Sequence, residues 1–156
     1  MSPKKRKRKE RLLALLELQG ATAEVLPKEE VHALQKEWRR VFAPKVKKLT
    51  GENVYLGFDW HAFSYSLVHS VEGDDARQAY QRESCTDFYV LPHMDECRGY
   101  KCQSNSLPQI SRKNIDAYIC PLDFKWTMVY THEDDWCGPY FTRAEWANRE
   151  TEPKRK

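Results

Sequence analysis

The stretch from Phe124 to Phe141 restricts the fold more than any other part of this sequence. Its first half alternates, with apolar side chains at Phe124, Trp126, Met128 and Tyr130. A period of two with aromatic and β-branched residues is typical of a β-strand. A lysine and two threonines lie between them, which predicts one packed face and one partly solvated face. The second half brings one His, three carboxylates and one Cys into a loop, and loops on a rigid scaffold commonly carry function.

A second short strand precedes this one, and together they predict a hairpin over residues 116–131. The segment 117–120 is apolar, and Pro121 follows it. Because proline fixes φ and has no N–H to donate, the strand pairing should end there. Further along, Thr142 and Glu145 have the spacing of a capping box, which predicts a short helix over 143–149.

The rest of the chain alternates between helical and strand patterns. Leucine-rich residues 10–18 predict a helix that Gly20 ends. Residues 28–42 predict the strongest helix, because its apolar side chains share one face. The other predicted elements are a helix over 72–83, strands over 21–26, 59–65 and 86–91, and a short strand at Tyr100.

This order of elements predicts an α+β fold. We expect a mostly antiparallel sheet, or a mixed one, of four to five strands, with about three to four helices packed mainly on one face. The length of 156 residues suits one domain. We expect a basic disordered tail over 1–10, a single α+β domain over 11–150, and a basic C-terminal tail over 151–156.

The charge is distributed unevenly along the chain. Of the net charge of +3, residues 4–11 contribute +6 and residues 154–156 contribute +3, so the remainder carries −6. The basic block from Lys4 to Lys9 has three interpretations. It is a solubilising tail, a segment that binds nucleic acid through phosphate contacts, or, in a eukaryotic host only, a nuclear import signal.

Composition also predicts the compartment. No window approaches about 18 uninterrupted apolar residues, so we expect no membrane-spanning helix. Residues 12–18 contain Glu17 and lack a small-residue cleavage site, which makes a poor secretory signal. Five cysteines are an odd number at irregular spacing, which favours reduced thiols in the cytoplasm. We expect no cofactor.

Three sequence blocks together resemble a known family. They are Trp60–Tyr65 (WHAFSY), Trp126–Glu133 (WTMVYTHE) and Trp136–Phe141 (WCGPYF). In this order they are similar to the uncharacterised bacterial domain of unknown function 4275 family, over roughly residues 20–143. The resemblance implies a small single-domain cytosolic protein and brings no assigned reaction. Cys97 and Cys102 do not belong to the family pattern.

Cys137 is the first candidate catalytic residue. The segment from Trp136 to Pro139 matches the start of a thioredoxin-type motif, but Tyr140 stands where a second thiol is needed. Thiol–disulfide exchange is therefore disfavoured. With His132 nearby in the sequence, Cys137 is a candidate nucleophile of lowered pKa. The alternative is a packed cysteine in a turn.

His132 and Glu133 suggest a metal or acid–base site. A zinc-protease helix motif needs a second His at position 136, which is Trp. A scattered site built from His61, His132, Glu133 and Asp59 is a further hypothesis. The alternative is that these side chains hold the loop through hydrogen bonds, as buried polar groups usually do.

Two smaller groups complete the candidate residues. Cys97 and Cys102 are weak zinc candidates, because four residues separate them but no second short Cys pair exists. The remaining ligands would have to come from His93, Cys120 or Cys137. The candidate binding residues are aromatic, although such residues more often form a core than a ligand cage; they are Trp60, Trp126, Trp136 and Tyr140.

No complete catalytic constellation can be assembled from these residues. We therefore predict a non-catalytic module that binds a protein or a small ligand at the end of its sheet, with an immunity protein against a toxin as one concrete form. The alternative is a hydrolase or transferase that uses Cys137 or a cluster of His61, His132 and Glu133. A second alternative is nucleic-acid association through the basic N-terminal tail.

Overall fold

Every strand that the structure describes joins one sheet. The computed structural model describes residues 12–42, 70–92, 98–110, 117–131 and 139–147. In chain order the elements are α1 (12–18), β1 (Thr22–Val25), α2 (Lys28–Phe42), β2 (Val71–Glu72), α3 (Asp74–Gln81), β3 (Asp87–Pro92), β4 (Tyr100–Gln103), β5 (Ala117–Pro121), β6 (Trp126–Tyr130), β7 (Tyr140–Arg143) and α4 (Ala144–Ala147).

The sheet has seven strands in the order β1-β4-β3-β5-β6-β7-β2. Each neighbouring pair of described strands is antiparallel. The predicted α+β class is confirmed. The predicted count of four to five strands is wrong, because β2 and β7 also pair and the short strand at Tyr100 is a full member of the sheet.

The predicted hairpin is confirmed as the pair β5–β6, with Ala117 opposite Tyr130 and Ile119 opposite Met128. Phe124 belongs to the turn, where its backbone N–H donates to the Pro121 carbonyl at 3.0 Å. Its φ of 55° is uncommon for a side-chain-bearing residue. The Phe124 ring is buried among apolar residues beneath α2, which holds this turn in place.

Helices cover both faces of the sheet. Helices α1 and α3 pack on one face, where their leucine and tyrosine side chains join Trp126 and Met128. Helix α2 packs on the other face, where Trp38 and Phe42 join Tyr118 and Val129. The expectation that helices pack mainly on one face is therefore wrong for the described residues.

The partly solvated face expected for β6 is also wrong, because α2 covers it. Thr127 is fully buried. The indole Nε1–H of Trp38 donates to Thr127 Oγ1 at 2.9 Å, and that hydroxyl donates to the Ile119 carbonyl at 3.0 Å. Thr127 can therefore lie on a packed face, because its hydroxyl both accepts and donates a hydrogen bond.

Two glycines occupy backbone positions that a side chain would disturb. Gly20 has a φ of 88°, and the N–H groups of Gly20 and Ala21 donate to the carbonyls of Glu17 and Leu16. This is the Schellman arrangement that the predicted glycine cap implies. Gly99 lies beneath α2, where an added Cβ would stand 2.8 Å from Val31 Cγ2.

Helix α2 has the bounds that its apolar face predicted, and α1 is helical over the described part of its predicted range. The other two predicted helices need correction. Helix α3 is shorter than 72–83, because Glu72 pairs with Tyr140 as part of β2. Thr142 lies in β7, and Glu145 accepts a hydrogen bond from Arg143 Nε at 3.1 Å. A short helix does follow, but it begins at Ala144, one residue later than a capping box from Thr142 to Glu145 requires.

Several predicted segments lie outside the described residues. These are the strand over 59–65, the tails over 1–10 and 151–156, and the end of the last helix beyond residue 147. Within the described ranges, no helix is long and apolar enough to cross a membrane.

Candidate functional site

All four predicted catalytic residues lie in segments that the structure does not describe. The cluster that the alternative of an enzyme requires stays a hypothesis, as does nucleic-acid association through Lys4–Lys9. The candidates outside the described residues are Asp59, Trp60, His61, His93, Cys97, His132, Glu133, Trp136 and Cys137.

Trp126 and Tyr140 are described, and both are core residues. Each is 3% exposed. Trp126 lies on the α1–α3 face, stacked on Phe141 with ring centroids 5.9 Å apart. Tyr140 lies on the α2 face, in the cluster that contains Trp38. The sheet separates the two rings, so the structure does not bring them to a common ligand surface.

The described cysteines are reduced, and none has an activated thiol. Burial raises the pKa of Cys102 to about 12. Burial also raises the pKa of Cys120 far above its usual range. These two thiols lie in the apolar clusters on opposite faces of the sheet. No three His, Cys, Asp or Glu residues are grouped to hold a metal ion within the described ranges.

A cleft opens at the end of the sheet where β3 begins and β4 ends. We call it the sheet-end cleft and define it by residues 80–86 and 105–109, from which its described lining comes. Its volume is about 580 Å³. The strand register explains its position: Asp87 pairs with Gln103, so the segment before β3 and the segment after β4 leave the sheet side by side.

Hydrogen bonds from three directions hold the loop that follows β4. The Ser104 N–H donates to the Thr86 carbonyl at 3.0 Å. The Gln19 side chain accepts from the Gln109 N–H and donates to the Gln109 carbonyl, both at 2.8 Å. The Tyr80 hydroxyl donates to the Pro108 carbonyl. These hydrogen bonds anchor both ends of the loop that forms one wall of the cleft.

The floor of the cleft is apolar and its rim is polar. Tyr80 is buried in the core cluster, and Cys85 and Leu107 pack against that cluster. The rim carries uncharged amide and hydroxyl side chains; these are Gln81, Ser84, Thr86, Asn105, Ser106 and Gln109. Seven of the ten described lining residues are polar or charged, so this cleft is more polar than most small-molecule sites.

Glu83 and Cys85 line the cleft, and the structure defines the surroundings of each. Glu83 forms a partly buried ion pair with Arg143, which also contacts Glu145. Cys85 is partly buried, and desolvation together with Asp123 and Asp87 raises the pKa of its thiol to about 11. At neutral pH the thiol is protonated, and a protonated thiol is a poor nucleophile.

Sequence reasoning missed this cleft. Residues 104–109 (Ser-Asn-Ser-Leu-Pro-Gln) show the Ser, Asn and Pro content that marks a loop. That signal predicts a loop, but it does not show which second segment the loop faces. The pairing of β3 with β4 supplies this information, and β4 was predicted only as a short strand at Tyr100.

The fold and the cleft define a class: a small α+β domain whose antiparallel sheet is covered on both faces and carries a ligand-sized cleft at one end. The family model described as Domain of unknown function (DUF4275) matches residues 22–141. The chain belongs to this family, as the three sequence blocks predicted. No curated protein and no solved structure matches the chain.

Proposed function

We propose that the chain is a non-catalytic binding domain that receives a small ligand, or a segment of a protein partner, in the sheet-end cleft. The cleft itself carries this proposal. Its volume of about 580 Å³ lies within the range of about 300–1,000 Å³ that ligand pockets occupy. Hydrogen bonds anchor the loop that follows β4, so binding requires little ordering of its backbone.

The chemistry of the cleft supports binding rather than covalent catalysis. A nucleophilic cysteine needs a lowered pKa or an adjacent base. The pKa of Cys85 is raised instead. The Glu83 carboxylate is already held in an ion pair with Arg143.

The net charge of the chain between its basic ends favours a basic or mixed protein partner over an acidic one. The chain between its basic ends carries −6. Such a surface attracts a basic or mixed partner and repels an acidic one. If the occupant is a protein, a basic toxin that this domain neutralises is the concrete form that we propose.

Blocking the cleft tests the proposal. Ser106 is an exposed rim residue, and Ser106→Trp would fill the opening. Gln78→Trp places the same side chain on an exposed position of α3 outside the cleft lining, which makes it the matched control. We expect tagged wild-type protein and Q78W, purified from cells that express the gene naturally, to carry a component that S106W loses, as identified by mass spectrometry. Equal retention by all three proteins would remove the cleft as the site.

Alkylation of the native protein by iodoacetamide across pH tests the alternative of an enzyme. Each cysteine is mapped by peptide mass spectrometry, with and without a chelator. Rapid labelling of Cys137 well below the reference thiol pKa of about 8.5 would replace this proposal with a hydrolase or transferase. Labelling of Cys97 that increases only with chelator would identify a metal site. Slow labelling of Cys137 that a chelator leaves unchanged is the result we expect.

A further inference from the structure

We infer that the sheet-end cleft takes a small, uncharged organic ligand with one apolar face and several hydroxyl or amide groups. A saccharide and a nucleoside share this chemistry. The inference rests on the proposed function and specifies the class of ligand that the cleft selects.

The charges of the described lining favour an uncharged ligand. Among the described lining residues, Glu83 is the only carboxylate, and Arg143 neutralises it. No Lys, Arg or His belongs to this described lining. A charged ligand that enters the cleft would lose water without gaining a free counter-charge, and that loss is costly. The negative charge of the rest of the chain adds to the cost for an anion.

The kinds of hydrogen-bonding group on the rim are the second argument. The side-chain amides of Gln81 and Asn105 each offer donors and an acceptor, and the hydroxyls of Ser84 and Ser106 offer both functions. An anion uses donors only, and an ammonium group uses acceptors only. Hydroxyl and amide groups of a ligand use both, so they match this rim more completely than a charged group does.

The floor is the third argument. Leu107 and Cys85 pack against the core cluster that contains Tyr80, and all three line the cleft. A ligand with one apolar face can bury that face here while its polar edge meets the rim. Sugar rings and nucleobases present such a face. Fully hydrated polar ions do not, which separates this class of ligand from a simple salt ion.

The rigidity of the loop is the fourth argument. The Gln19 side chain clamps both backbone groups of Gln109, and Ser104 is bonded to Thr86. Neutral ligands gain affinity through several modest hydrogen bonds, each of which depends on geometry. Because the loop backbone is already anchored, only the rim side chains have to be ordered when those bonds form, which lowers the entropic cost of binding.

Calorimetric titration of the full chain with matched pairs of probes tests the inference. The neutral probes are uridine, adenosine, cellobiose and N-acetylglucosamine, and the charged counterparts are uridine 5′-monophosphate and glucose 6-phosphate. We expect at least one neutral probe to bind saturably, and the phosphorylated probes to bind about tenfold more weakly or not at all. Saccharide probes and nucleoside probes form separate arms, which distinguishes the two sources of this chemistry.

Variants place the binding in the cleft. Asn105→Ala should lower the affinity for the neutral probe by about fivefold, the effect of one lost hydrogen bond. Ser106→Trp should abolish binding of the probe. Gln78→Ala on exposed α3 is the control and should bind normally. A bound neutral probe should also slow alkylation of Cys85, which lines the cleft. Thermal unfolding of each variant shows whether it is folded.

Two results would overturn the inference: tighter binding of a phosphorylated probe in the cleft, or no saturable binding of any neutral probe. If no neutral probe binds but Ser106→Trp still removes a co-purified protein, the ligand class is wrong and the proposed function stands. If Ser106→Trp changes neither probe binding nor co-purification, both proposals fail.

Discussion

At the scale of single residues, two buried polar side chains, Thr127 and Gln35, connect helix α2 to the sheet through hydrogen bonds. Thr127 accepts from the Trp38 indole and donates to the Ile119 carbonyl, and this connects α2 to two strands of the sheet. Gln35 similarly donates to the Pro92 carbonyl at 2.8 Å in a buried position. The two-residue period of β6 predicts the face of the strand on which Thr127 lies, but it does not reveal that a helix covers that face.

Thr127→Val should destabilise the protein by about 1–3 kcal/mol, the cost of leaving buried polar groups without partners. Valine keeps the shape of the side chain but removes the acceptor of Trp38 Nε1 and the donor to Ile119. Urea denaturation monitored by circular dichroism measures the free energy of unfolding. Thr22→Val on exposed β1 is the control, for which we expect a change within about 0.5 kcal/mol. Equal effects of the two changes would contradict this role for Thr127.

The buried thiol of Cys102 predicts a dependence of stability on alkaline pH. Its folded-state pKa is raised to about 12, whereas an unfolded thiol has a pKa of about 8.5. The stabilisation is complete below the unfolded pKa. Above it, the unfolded chain releases this proton and the folded chain keeps it, so the free energy of unfolding falls as pH rises toward the folded pKa.

We expect this thiol to contribute a loss of about 1–2 kcal/mol between pH about 8 and pH about 10. Cys102→Ala removes the group and should flatten the slope of unfolding free energy against pH, whatever its effect at neutral pH. Urea titrations at several pH values measure both slopes. A variant slope as steep as that of the wild type would show that Cys102 does not cause the alkaline loss.

At the scale of elements, the sequence predicts those whose signal is local. Helix α2 has its predicted bounds, because a proline precedes it and its apolar face is continuous. The β5–β6 hairpin was found for a similar reason. Strands β4 and β7 have only four residues each, and β7 was assigned to a loop and a helix cap. Short strands form because neighbouring strands pair with them, and this pairing cannot be seen in one segment alone.

The contact between α2 and the start of β4 predicts that the effects of substitutions at Gly99 and Val31 depend on each other. Gly99→Ala would place a Cβ 2.8 Å from Val31 Cγ2. Valine is stiff about χ1 and cannot turn aside at low cost. We expect Gly99→Ala to destabilise the protein by about 1–3 kcal/mol, as overpacking does.

Val31→Ala removes the obstructing methyl groups, so the double variant should be less destabilised than the sum of the single variants. A coupling of about 1 kcal/mol is expected for residues in direct contact. Urea denaturation of the two single variants and the double variant completes the cycle. Additive effects would mean that Val31 is not what requires glycine at position 99.

At the scale of the whole molecule, the candidate site arises where separate parts of the chain meet. The sheet-end cleft needs the β3–β4 register, Gln19 from the end of α1 and the core beneath Tyr80. Each part has a recognisable local sequence, but their meeting depends on strand order. The fold class alone is enough to predict a binding role at the end of the sheet. Predicting which residues line the cleft also requires the strand order.

Substitutions in helix α1 test whether the molecule unfolds as one cooperative unit. This helix is the informative place, because it precedes the family match, which begins at residue 22. Leu16 is nevertheless fully buried in the largest core cluster, and Leu18 of the same helix is 83% exposed. If α1 is part of one core, Leu16→Ala should cost about 2–5 kcal/mol. Leu18→Ala should change stability by about 0.5 kcal/mol or less.

Fluorescence of the tryptophans and far-ultraviolet circular dichroism should report the same urea midpoint in each of these proteins, since a single domain unfolds in one step. A Leu16→Ala variant that loses helical signal early, while the fluorescence midpoint stays at its wild-type value, would make α1 a separate appendage. Its clamp on Gln109 would then be too weak to hold the cleft. A shared, lowered midpoint would instead show that the core beneath α1 also stabilises the wall of the proposed binding site.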